Sequence, residues 1–254
     1  MTTQGALQFA RFAYPPNALG YCGPDAPDAL LEQVAAQVVD GALCEAARGF
    51  EGAWPYLELI AHCNRGDDPL SPAVVEAYWV GNRLLDQVTV RELGDSFEQR
   101  FRPRVGAAWD DLLAGVVAGA RPHHNFHVFG VYPWLGLIRA GTVEQPLRVL
   151  DRCRVRWGRL MSVDGDEAVV LHRPLQWDGR VLRLGAPQPE VARLAVAGHR
   201  LAADPVVGGW VALHWDWVCD ALTEGQVRRL RHETACALAA VNGLSRPAPA
   251  AVLA

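Results

Sequence analysis

Three short stretches of this sequence carry side chains able to bind a metal ion. CRVRWGRLMSVDGDEAVV, residues 153 to 170, opens on Cys153 flanked by Arg152, Arg154, Arg156 and Arg159. A thiolate is a soft ligand suited to iron, and neighbouring guanidinium groups are expected to lower the thiol pKa. The same residues also read as a small apolar cysteine side chain with arginines on the solvent face. YPPNALGYCGP, 14 to 24, sets Cys22 in a Gly- and Pro-bounded turn, where the thiol is accessible. RPHHNFHVFGVYPW, 121 to 134, holds His123, His124 and His127; on a helix, His123 and His127 share a face at the i, i+4 spacing of a metal site. The bland alternative for the three histidines is a structural or partner-contact role beside a tryptophan-rich surface.

Composition limits what else the chain can do. All 24 basic residues are arginine, so Schiff-base, phosphate-loop and general-base lysines are excluded. The net charge of -4, with arginines scattered among carboxylates, gives no footprint for nucleic acid. Apolar runs such as VFGVYPWLGLI are too short to span a bilayer, and the first residues lack the pattern of a secretory signal. No membrane association and a cytoplasmic location are therefore expected. The six cysteines contain no C-x-x-C pair and are expected to be free thiols. The acid pairs Asp67-Asp68 and Asp110-Asp111 read as solvated loop and cap residues.

The elements that would position these side chains fall into two textures. ALLEQVAAQVVDGALCEAARGF, 29 to 50, has helical periodicity with Asp28 as N-cap. Further helices are expected after Ser71-Pro72, from Thr89 with a Thr89/Glu92 capping box, and over 107 to 118. From about residue 147, strand patterns alternate with Asp164-Gly165 and Asp178-Gly179 turns. A short helix is expected over 189 to 202, a strand over 208 to 219, and a closing helix behind a Thr223/Gln226 capping box. The fold class is thus α+β: a helical domain over 1–145, a small OB-like β-barrel with a C-terminal helix over 146–244, and a tail over 245–254.

Cys153, Gly158, Arg159, Val163, Asp164, Gly165, Asp166, Ala168, Val169 and Val170, followed by Gly209, Trp210, Val211, Leu213, His214, Leu222, Thr223 and Glu224, resemble two blocks of the HypC/HupF hydrogenase-assembly chaperones. The resemblance implies that Cys153 and His214 are metal-handling residues. It further implies a transient iron cargo bearing carbon monoxide and cyanide, and as partners a HypD-like scaffold protein and the large subunit of a [NiFe] hydrogenase. In that family the cysteine is N-terminal, whereas Cys153 is internal; Trp157 replaces a proline; and an extra segment, 179 to 207, separates the blocks. The whole chain also resembles an uncharacterised bacterial family associated with [NiFe] hydrogenase genes that shares the GYCGP and HHNFHVFG stretches. The competing expectation is a metal-binding protein or enzyme whose site, in the N-terminal half, is built from Cys22, His123, His124 and His127.

Overall fold

The computed structural model describes residues 3–25, 27–66, 68–105, 119–196, 198–202 and 205–243. The helix expected over 107 to 118, the 245–254 tail, and the acids Asp67, Asp110 and Asp111 lie outside them; Asp68 lies in a loop, where its Oδ1 accepts from the Leu70 N–H at 2.9 Å.

The first element is the helix Thr3–Ala18, in which Phe9, Ala10, Phe12 and Ala13 are fully buried. A helix apolar around its whole circumference must be covered on every side. Here Pro27–Ala36 and Pro72–Trp79 cover it from the helical half, and two barrel strands cover it from the other. The single helix expected over 29 to 50 is two, Pro27–Ala36 and Gly41–Arg48. Gln37 breaks the run at φ +54, and Asp40 caps the second piece by accepting from the Leu43 N–H at 2.9 Å. The helix after Ser71 ends at Trp79, and a 3-10 turn follows over Arg83–Gln87. The Thr89/Glu92 box opens the helix Val90–Val105 as expected, with reciprocal bonds of 2.8 and 3.2 Å.

The second half is α+β as read from sequence, with a closed five-stranded barrel at its centre. Its strands are β1 (Arg156–Asp164), β2 (Glu167–His172), β5 (Gln188–Arg193), β8 (Trp210–His214) and β9 (Trp217–Leu222), paired in the order β1-β2-β5-β9-β8 and back to β1. Pairing is antiparallel except between β5 and β9. Closure removes the sheet edges that would otherwise invite association. Between β2 and β5, β3 (Leu175–Trp177) and β4 (Leu182–Leu184) form a hairpin around Asp178-Gly179, and Gly179 takes the positive φ that this turn requires. After β5 comes a small hairpin of β6 (Ala195–Val196) and β7 (His199–Arg200).

Two sequence expectations fail in this region. The stretch 189 to 202 is strand and hairpin, because its apolar residues serve the barrel wall rather than a helical stripe. The stretch 208 to 219 is two strands, reversed at Trp215, which adopts φ +52. Gly158 is dictated by crowding: a Cβ there would lie 2.4 Å from Val170 Cγ1 and 2.9 Å from the Leu171 carbonyl oxygen on the neighbouring strand. The closing helix Glu224–Asn242 has the expected Thr223/Gln226 capping box.

Two buried clusters hold the chain together. Leu160, Val170, Ala192, Val211, Leu213 and Val218 fill the barrel interior. The larger cluster runs from Ala6 to Val241, across the 145/146 boundary, and includes Trp157, Ala212, Trp217 and Cys219 from the barrel's outer wall. The side of the barrel that would ordinarily meet water is therefore buried against the helices, and polar side chains on it enter a low-dielectric junction.

Candidate metal centre

Cys153 is the last residue of the helix Glu144–Cys153, not the first of a strand. Pro146, Val149, Leu150 and Cys153 recur at three and four residues along the buried face, so the thiol points inward with them. Arg154 then turns extended (φ -66°, ψ 146°) and releases the chain into β1. In the β1–β8 register Arg156 faces Leu213 and Trp157 faces Ala212, which brings His214, the last residue of β8, back beside the end of that helix. The inward neighbours Val211 and Leu213 enter the barrel core, and His214 points out of the barrel into the junction.

The third participant comes from the helical half. His124 starts the short turn His124–Phe126, which continues as a π-helical turn over His127–Val131. Asn125, fully buried, docks this turn on the barrel: its Oδ1 accepts from Val155 N–H at 2.7 Å, and its Nδ2 donates to the Val155 carbonyl at 3.1 Å and to Thr234 Oγ1 at 2.9 Å. That clamp sets His124 against the end of the cysteine helix. Its Nε2 donates to the Cys153 carbonyl at 2.8 Å, and its Nδ1 meets the Tyr78 hydroxyl at 3.2 Å.

One ligand atom each from His124, Cys153 and His214 lies within 4.8 Å of the other two, and all three residues are buried. His214 donates from Nδ1 to the Phe12 carbonyl at 2.6 Å. A carbonyl can only accept, so the proton is on Nδ1 and Nε2 keeps its lone pair, buried and without a hydrogen-bond partner. This is the tautomer control typical of a metal-ligating imidazole. His124, by contrast, enters a coordination sphere only by surrendering one of its two bonds.

The electrostatics differ from the expectation of an arginine-activated thiol. Arg152 pairs with Asp216, Arg154 with Asp151, Arg156 with Glu190 and Arg159 with Glu224, so the four guanidinium charges are compensated locally. Burial, with a smaller contribution from Cys22, drives the Cys153 thiol far above its ordinary pKa. Burial also holds the imidazoles neutral: His124 is pushed down to about 4, and His214 lies well below the usual histidine range. The resting site is thus an uncharged thiol among uncharged imidazoles. An arriving cation would supply the charge that lets the thiol ionise, so binding is coupled to proton release.

These groups face a cavity of about 60 Å³, room for a few water-sized groups. Its walls are largely aromatic, including Tyr78, Trp79, Tyr132 and Trp215. Cys22 and His127 also line it. The two alternative sites read from the sequence therefore meet in one hollow between the halves of the chain. Cys22 is partly exposed, and its thiol is pushed up to about 12 by burial. His127 Nδ1 lies 3.0 Å from the Tyr56 hydroxyl. His123 does not line the cavity: its backbone is extended, and its Nδ1 accepts from the Asn125 N–H at 3.0 Å as a cap. The expected His123/His127 pair on one helical face is accordingly absent, because the helix starts after His123. Sequence reasoning also missed the Phe12 carbonyl, a backbone group that no side-chain pattern announces.

A model described as a family of unknown function (DUF6390) matches residues 1–248, and the chain belongs to that family. No curated protein and no solved structure matches the chain.

Proposed function

We propose that this chain is an accessory protein of [NiFe] hydrogenase maturation that transiently holds the iron centre on Cys153 and His214. The observation that carries the reading is the buried, unpartnered Nε2 of His214 near the Cys153 thiol, in a cavity with largely aromatic walls. The fit is chemical. A soft thiolate and a tautomer-fixed imidazole suit iron(II), and an apolar hollow suits a cargo whose carbon monoxide and cyanide ligands already fill most of its coordination sphere. The residues' task is to anchor, orient and exclude water; the redox and ligand chemistry belong to the iron. The proposed partners are a HypD-like scaffold and the hydrogenase large subunit, and the proposed setting is the cytoplasm. Among the described residues, no helix is long and apolar enough to cross a membrane.

The competing reading, a metal-binding protein or enzyme centred on Cys22, His124 and His127, is favoured by their presence in the same cavity. Purification of the chain with its bound partners separates the two. The carrier reading expects infrared bands of metal-bound carbon monoxide and cyanide that vanish in Cys153→Ala. Bands that survive that substitution, or metal lost in His127→Ala and retained in Cys153→Ala, overturn it.

A further inference from the structure

Cys153 is 8% exposed, so an ion reaching it from solvent needs a route. Cys22 borders two hollows at once. One is the inner cavity with Cys153 and His214; the other is an open surface depression lined by Asn17, Gly20, Tyr21, Cys22, Gly23 and Asp25. From these positions we propose that Cys22 is the entry thiolate of the site, taking a soft divalent metal ion at the surface depression and passing it inward to Cys153. This inference rests on the metal-carrier reading above and adds the path.

Two further observations support the assignment. Asn17, itself buried, donates from Nδ2 to the carbonyls of Cys22 and Pro24, both at 2.8 Å, and so holds the cysteine turn in a fixed place above the cavity. Tyr21, the residue before Cys22, is exposed, and its ring stacks on Trp215 at 4.3 Å; both rings border the cavity and together cover its outer side.

The step balances without an oxidant. The ion binds Cys22 as its thiol proton leaves to solvent. The metal–sulfur bond to Cys22 then breaks as the bond to Cys153 forms, and the proton leaving Cys153 Sγ ends on Cys22 Sγ. The His214 Nε2 lone pair completes the inner pair of ligands, and no electron changes hands.

Cobalt(II) added to the full chain provides the test, because its thiolate charge-transfer absorption reports both rate and ligand set. The proposal expects Cys22→Ser to reach the same final one-thiolate spectrum as the unaltered chain, but on the order of tenfold more slowly. Cys22→Ala, which removes the hydroxyl as well, should be at least as slow. Cys153→Ser should give a fast and weak absorption from Cys22 alone. Loading of both Cys22 variants at the rate of the unaltered chain overturns the relay and leaves the carrier reading standing. A final spectrum that loses one of two thiolates in Cys22→Ser also overturns it, since Cys22 is then a resident ligand. An unaltered chain that binds no cobalt overturns relay and carrier together.

Discussion

His214 donates a hydrogen bond from its Nδ1–H to the carbonyl of Phe12, 2.6 Å away and 202 residues earlier in the chain. This bond joins the last residue of β8 to the N-terminal helix and at the same time fixes which imidazole nitrogen faces the cavity. A metal ligand is thereby made from a packing contact: the helix that seals the barrel wall also sets the tautomer.

The ranking of the two imidazoles grouped with Cys153, His214 and His124, follows. His214→Ala removes the free lone pair, and cobalt(II) or iron(II) affinity should fall about 10–100-fold. His124→Ala removes a group already committed to Cys153 and Tyr78, and should cost less. Equilibrium titration of both variants checks the order; an equal or reversed ranking contradicts the assigned tautomers.

Asn125 should be the most stability-sensitive polar residue near the site. It makes three side-chain hydrogen bonds in full burial, and Asn125→Ala strands both the N–H and the carbonyl of Val155. The expected loss is about 3 kcal/mol, since each unsatisfied buried group costs about 1–3 kcal/mol. Denaturant unfolding measures it, and a change under about 0.5 kcal/mol would place the junction's stability elsewhere.

A pH-dependent stability term arises away from the cavity. The Glu233 carboxyl has no exposed side-chain surface, and desolvation raises its pKa to about 7 despite Arg121 Nε at 2.7 Å; Asp86 adds to the rise, and Arg229 opposes it. The folded state therefore holds this proton after the unfolded chain, near the ordinary carboxylate value, has released it. The resulting stability is complete below about pH 4.5 and is lost as pH rises through 7. Glu233→Gln removes the titration. Relative to the variant, the unaltered chain should lose on the order of 2 kcal/mol between pH 5 and pH 8. Thermal unfolding across that range checks the slope, and parallel curves for the two proteins contradict it.

The legibility of the fold tracked the range of the interactions involved. Both capping boxes and the Asp-Gly turns are local chemistry, and Thr89, Thr223 and Gly179 behave as their sequence neighbours dictate. The misread segments are those where tertiary packing overrides local pattern. The helix around Cys153 reads as strand because its apolar residues are few and interrupted by arginines, of which Arg152 meets its carboxylate, Asp216, only in the folded chain. The stretch 189 to 202 reads as helix because it is rich in alanine, leucine and arginine, whereas in the fold Ala192, Leu194 and Ala202 enter the barrel core.

For the site, Cys153, His214, Cys22, His124 and His127 all stood out by residue type, but their convergence did not. The i, i+4 rule paired His123 with His127 on the assumption of a continuous helix. The extended backbone at His123 and the π-helical turn after Phe126 instead send His124 and His127 to the cavity. No sequence spacing encodes the docking of that turn on Val155, which joins residues 30 positions apart through one amide side chain.

X-ray absorption at the metal edge of the iron(II)-loaded chain tests the central claim most directly. The account predicts one sulfur scatterer with nitrogen neighbours, the sulfur lost in Cys153→Ser and one nitrogen lost in His214→Ala. A coordination sphere of oxygen alone, or one unchanged by both substitutions, would contradict it.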